Sequence, residues 1–193
     1  MQAEVCLMEV TRNEFMRGCA AGVCSCVALL SPEPTLAETS TPNLEQLKLQ
    51  LEGSRVRYAK LVSILEENLD EATRKRIFDS LGRECARQFR SRTFDKYKGD
   101  LPGFLKSVEA PDGWASKTEY DEKAGTIRVF DRGPHCTCPL VKEGLTSGAQ
   151  CDCTLGWQRE TYSAMLGRPV DGAVEESILR GGKRCVFRMT VLG

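Results

Sequence analysis

From Asn43 onward the chain takes up a helical rhythm. Leu44, Leu47 and Leu51 open an apolar stripe that Tyr58, Leu61, Val62, Leu65 and Leu69 continue, with Gly53 as a weak point midway. Asn43 followed by Gln46 three residues later is a capping-box pattern, so a helix starts there. Asp70 can cap a second helix, whose apolar face reads Ile77, Leu81, Cys85 and Phe89, each four residues after the last, with Phe78 beside them. Gly99, Pro102, Gly103, Pro111 and Gly113 then break the pattern into loops around a short helix at 104–108. At residue 117 the period becomes two. Segments 117–120 and 126–130 read as a hairpin with Ile127 and Val129 on one face. A helix of about three turns is expected over 154–166, closed by Gly167 and Pro169, with Trp157, Thr161 and Ala164 on the face that packs on the sheet. A second hairpin pairs 173–179 with 184–192 through a turn at Arg180-Gly181-Gly182-Lys183. In its last strand Cys185, Phe187, Met189 and Val191 alternate with Arg184, Val186, Arg188 and Thr190. Helices first and hairpins later predict an α+β domain: N-terminal helices packed on an antiparallel sheet built from the C-terminal hairpins, with one helix inserted between them.

Composition narrows the class. With 193 residues, 41% hydrophobic and 28% charged content and zero formal net charge, the chain has the make-up of one ordinary globular domain. Basic residues are dispersed, and Arg74-Lys75-Arg76 is flanked by Glu71 and Asp79 as on a solvated helix face, so nucleic acid is not the expected partner. Residues 18–30 are uncharged, small and apolar. They fall short of the roughly 20 residues that span a bilayer, so no stable transmembrane span is expected, but they suit the apolar region of an export signal. Residues 11–17 resemble a twin-arginine export signal in which Asn13 replaces the second arginine. The expected organisation is an export signal over 1–37, a polar linker over 38–43 and a single α+β domain over 44–193. The location is then periplasmic or otherwise exported, or cytoplasmic if the signal does not function. Removal of the signal takes Cys6, Cys19, Cys24 and Cys26 with it and leaves Cys85, Cys136, Cys138, Cys151, Cys153 and Cys185.

The candidate chemistry is in Cys136-Thr137-Cys138 and Cys151-Asp152-Cys153, with His135, the only histidine of the chain, directly before the first pair. Thiolates bind soft metals and are the nucleophilic form of cysteine. Residues two apart in a strand face the same side, so each pair can point at a common centre and all four sulfurs can surround one ion, zinc or another thiophilic metal. His135 and Cys185 are further candidate ligands. Disulfides, redox thiols and inert packing are the alternatives. Cys153, at the start of the 154–166 helix, is expected to have a lowered pKa. Cys85 reads as core. Glu175 and Glu176 point to opposite faces of a strand, so only one can face an interior; Glu176 and Trp157 are the candidate residues of a small-molecule pocket. There is no nucleophile elbow, and no phosphate-cradling loop or dinucleotide fingerprint.

The run Cys136-Thr137-Cys138-Pro139-Leu140-Val141, then Cys151-Asp152-Cys153, Gly156-Trp157, Leu166-Gly167-Arg168-Pro169-Val170, and Glu176 to Gly182 with Cys185-Val186-Phe187, resembles the L-2-amino-thiazoline-4-carboxylic acid hydrolase-like proteins of bacteria. More remotely, the ending resembles 4-vinyl reductase small-molecule-binding domains. The resemblance implies an α+β ligand-binding fold in which cysteines line or close a small-molecule pocket, with or without metal. The expectation from sequence is thus an exported small-molecule and metal-binding protein with a (Cys-x-Cys)2 site. The alternatives are a hydrolase of a small cyclic amide or amidine, which rests on the resemblance only, and a thiol redox protein.

Overall fold

The computed structural model describes residues 43–89 and 92–193. The export signal assigned to 1–37, and all of the linker except Asn43, lie outside the described residues. Helix α1, Leu44–Asn68, starts at the expected capping box: Gln46 N–H donates to Asn43 Oδ1 at 2.9 Å, and Asn43 N–H donates to Gln46 Oε1 at 3.0 Å. It runs through Gly53 without a break. Only Ala59 and Val62 of α1 are buried, while Leu44, Leu47, Leu51 and Leu61 remain exposed.

Helix α2, Glu71–Phe89, is capped by Asp70, whose Oδ1 accepts from Thr73 N–H at 2.9 Å. Its buried line is Phe78, Gly82 and Ala86, whereas Ile77 and Leu81, expected inside, are exposed. The reason is close helix contact. A Cβ on Gly82 would lie 1.9 Å from the Cys153 carbonyl oxygen, and one on Gly156 would lie 2.3 Å from that of Asp79. Two glycines let the backbones of α2 and the later helix α4 touch, so small residues mark the contact where large apolar ones were expected.

A 3-10 turn, Arg92–Tyr97, leads to α3, Leu101–Glu109, capped by Asp100 and burying Leu101, Phe104, Leu105 and Val108. The strands are β1, Ala115–Asp121; β2, Thr126–Asp131; β3, Val170–Glu176; and β4, Val186–Val191. They form one antiparallel sheet in the order β1-β2-β4-β3, with Ile127 opposite Met189 and Val129 opposite Phe187. These four side chains are fully buried, as the two-residue period requires. Helix α4, Gln150–Leu166, packs on this inner face through Tyr162 and Met165 and ends at Gly167, left-handed at φ 66°. The outer face carries ion pairs, among them Arg128 with Glu119 and Glu175.

The expected α+β class and layering hold. Several boundaries move: α4 begins at Gln150, ahead of the expected 154, β3 covers Val170–Glu176, so that 178–180 form a 3-10 turn instead of strand, and β4 is shorter than the expected 184–192. Among the described residues no helix is long and apolar enough to cross a membrane.

Candidate functional site: thiols around the start of α4

The first turn of α4 has no side-chain cap. The N–H groups of Gln150, Cys151 and Asp152 instead donate to the carbonyls of Ser147, Gly148 and Ala149 at 3.1–3.2 Å. This tight winding places Cys151 and Cys153 inside the helix. Residues two apart on a helix are separated by about 200°, so the two sulfurs take opposite faces, unlike the shared face that a strand would have given them. Cys151 faces the sheet, with Sγ 2.8 Å from Ser177 Oγ. Cys153 joins a small core with Val62, Phe78 and Ala149 beneath Tyr58 and Leu65.

Cys136 and Cys138 lie on the segment between β2 and α4. Val141 N–H donates to the Cys138 carbonyl at 3.1 Å in a tight turn at Pro139, and Glu143 accepts from Cys136 N–H at 2.7 Å. Arg55 Nε donates to the Pro139 carbonyl at 2.7 Å and Lys142 pairs with Glu52, which ties this segment to α1.

The six described cysteines are free thiols; Cys151 and Cys153 divide them toward two faces of α4, with Cys138 acting on members of both groups. In the outer group, Gln150 Nε2 donates to Cys138 Sγ at 3.6 Å and Gln150 Oε1 accepts from Tyr58 OH. Burial pushes the Cys153 thiol up to about 12, and negative charge on Cys138 or Cys85 adds to the push. Cys85, expected as core, is half-buried, and its thiol is raised by burial and then by the charge of Cys138. In the inner group, burial pushes Cys136 up to about 12, and the charges of Cys138, Cys185 and Cys151 act in the same direction. Burial also raises Cys151, against hydrogen bonding by Ser177 and the charge of Arg180; Cys185 is raised by burial, then by Asp131 and Cys151.

The expected lowering of the Cys153 pKa by the helix N-terminus is therefore corrected. Desolvation outweighs the dipole because Cys153 is 9% exposed. Protonated thiols are weak nucleophiles.

The other sequence candidates fall elsewhere. The His135 side chain is 78% exposed, with Nδ1 3.0 Å from Glu143. Glu176 turns back on its own hairpin, accepting from Lys183 N–H at 2.8 Å and pairing with Arg184 at 3.4 Å. Trp157 is half-buried and meets Trp114 edge to face at 5.1 Å between centroids. Among the described residues, no three His, Cys, Asp or Glu side chains close into a metal-coordinating arrangement.

Sequence reasoning missed Asp131. It is 7% exposed, and burial pushes its carboxyl up to about 7. Its contacts, from Thr137 Oγ1 and Gln158 Nε2, are both 3.5 Å long. Near it Gln158 Oε1, Thr161 Oγ1, Tyr162 OH and Trp114 Nε1 are buried without hydrogen-bond partners. The available signal was Asp131 continuing the inward row of Ile127 and Val129. A separate cleft of about 450 Å³ is lined by Lys75, Arg76, Arg159 and Arg180, with Asp152 and Asp79 already paired to Arg180 and Arg159.

No protein-family model and no curated protein matches the chain. Among solved structures it is similar to a trafficking protein particle complex subunit 3 from Naegleria fowleri, covalently bound to palmitic acid, with a TM-score of 0.51 and 12% identity over 76% of this chain and 97% of that one. It is also similar to a vinyl-4-reductase family protein from Methanocaldococcus jannaschii, with a TM-score of 0.34 and 10% identity over 81% of this chain and 85% of that one. The first likeness is one of fold, an α+β architecture spanning nearly the whole of the trafficking subunit.

Proposed function

We propose that this domain binds thiophilic metal, zinc first, through two sets of three thiols placed on opposite faces of α4. The outer set is Cys85, Cys138 and Cys153, and the inner set is Cys136, Cys151 and Cys185. The observation that carries the reading is the gathering of free thiols from separate segments around the start of one helix, with Gln150 Nε2 donating to Cys138 Sγ at 3.6 Å, Cys153 buried beside Ala149, and Cys151 Sγ 2.8 Å from Ser177 Oγ. A (Cys-x-Cys)2 centre around one ion is disfavoured because Cys151 and Cys153 diverge. Buried thiols that raise one another's pKa are unfavourable as anions, and a divalent cation removes that repulsion while their protons pass to solvent. Three thiolates leave a fourth tetrahedral position for water. Among the described residues no three thiols already stand in a coordinating arrangement, so binding has to draw the Cys136–Cys138 segment inward against α4.

Titration with Cd2+ tests the reading. Sulfur-to-metal charge-transfer absorption should rise to saturation with release of protons, and should vanish when all six described cysteines are serine in a protein that still folds. Folded wild-type protein that shows neither signal would reject it.

A further inference from the structure

Helices α2 and α4 touch at Gly82 and Gly156, and beside that contact the cleft of about 450 Å³ opens along β3, an edge strand of the sheet. Its size is that of a small-molecule pocket. Leu155, Ala173 and Val174 make an apolar wall, and the charged lining sets four cations, Lys75, Arg76, Arg159 and Arg180, against two carboxylates. Those carboxylates are already engaged: Asp152 accepts from Arg180 at 2.9 Å, and Asp79 accepts from Arg159 at 2.8 Å and from Arg83 at 2.7 Å. These bonds hold the guanidinium groups in place without exhausting them. Each Nη of Arg159 uses one N–H, on Asp79 and on Asp171, and keeps a second. Among the described residues Arg76 has no acidic partner, and its Nη2 donates to Thr73 Oγ1 at 3.1 Å. Lys75 pairs with Glu71, but both are more than half exposed, so water weakens that pair. Arg180 reaches the same place, since its charge acts on Glu71. The whole chain has zero formal net charge, so the excess of cations in this cleft is local.

We propose that this cleft binds a small organic phosphate monoester, with the phosphate among Lys75, Arg76 and Arg180 and the organic group on Leu155, Ala173 and Val174. Charge selects the ligand class. Four cations against two carboxylates leave two positive charges, which a monoester, carrying close to two negative charges at neutral pH, balances. A carboxylate or a phosphodiester brings one charge and leaves one cation unmatched. Guanidinium groups suit phosphate oxygens because they donate two parallel hydrogen bonds. The apolar wall gives an organic group a surface that inorganic phosphate cannot use, and the cleft volume limits that group to about one or two rings. This site goes beyond the thiol reading and needs no metal.

The probe is phenyl phosphate, titrated calorimetrically into full-length protein at physiological ionic strength, with chelator present so that zinc cannot supply the phosphate contact. Saturable one-to-one binding is expected, about tenfold tighter than that of inorganic phosphate. It should strengthen as pH rises through about 6, where the monoester takes its second charge. Arg76→Gln, at an exposed position, should weaken binding about tenfold, while Lys106→Gln, which removes the same charge from α3, should leave it unchanged. Lack of saturation in the wild type, equal affinity in the two folded variants, or equal affinity for inorganic phosphate would overturn the proposal. So would binding to vesicles of phosphatidylcholine and phosphatidic acid without binding of free phenyl phosphate, which would make the cations a membrane contact.

Discussion

The two ends of the sheet's inner face follow opposite rules. Near the β1–β2 turn, Ile127, Val129, Phe187 and Met189 are fully buried and fill the apolar part of the core. At the other end Asp131 and Cys185 occupy the same inward row, under α4 side chains whose polar atoms lack partners. The same strands and helix build both ends, so the contrast comes from residue choice alone. Stability resides at one end, and the candidate chemistry at the other.

The largest expected effect belongs to the apolar end. Phe187→Ala should cost about 3–5 kcal/mol in urea unfolding, whereas Thr161→Val at the polar end should cost under about 1 kcal/mol or stabilise, since it removes an unpaired buried hydroxyl and keeps the side-chain shape. Equal losses at both ends would break the comparison. Next comes pH. The folded-state pKa of Asp131 is raised from 3.8 to about 7, so between those values the folded protein holds a proton that the unfolded chain has lost. The contribution of Asp131 is therefore fully present below about pH 4 and lost as pH rises through about 7, on the order of 4 kcal/mol in total. Unfolding of Asp131→Asn across pH 4–8 should lack this component, and a slope identical to the wild type would contradict the burial argument. Smallest is the outer face: Arg128→Ala, which breaks half-exposed pairs with Glu119 and Glu175, should leave stability nearly unchanged, with less effect still in high salt. Chemical reactivity sharpens the contrast differently. Cys136 and Cys153, pushed up to about 12, should react with iodoacetamide at neutral pH at least about a hundredfold more slowly than an unperturbed cysteine. Rapid labelling of either in folded protein would remove the case for buried, protonated thiols.

Much of the fold was legible where local chemistry and periodicity agree. Asn43 with Gln46, Asp70, Gly167 and the two-residue alternation at Ile127 and Val129 each have one physical meaning, and each is realised. The inner face of α2 was not, because Gly82 and Ala86 are small where the close approach of α4 demands it, and a search for large apolar residues finds Ile77 and Leu81 instead. The start of α4 was hidden because its first turn winds on backbone carbonyls and carries no capping side chain. That one displacement changed the candidate site: as strand residues Cys151 and Cys153 would share a face, and as helix residues they divide it. Asp131, Gln158 and Thr161 gave little local warning, since a polar residue at a strand end or on a helix is ordinary until tertiary packing buries it.

The most direct test of the divided thiol centre is native mass spectrometry of zinc-loaded protein. Wild type should carry two zinc ions, while Cys153→Ser and Cys151→Ser should each retain one, lost from opposite faces of α4. A single ion in the wild type that disappears in both variants would instead show that the four Cys-x-Cys sulfurs act as one centre.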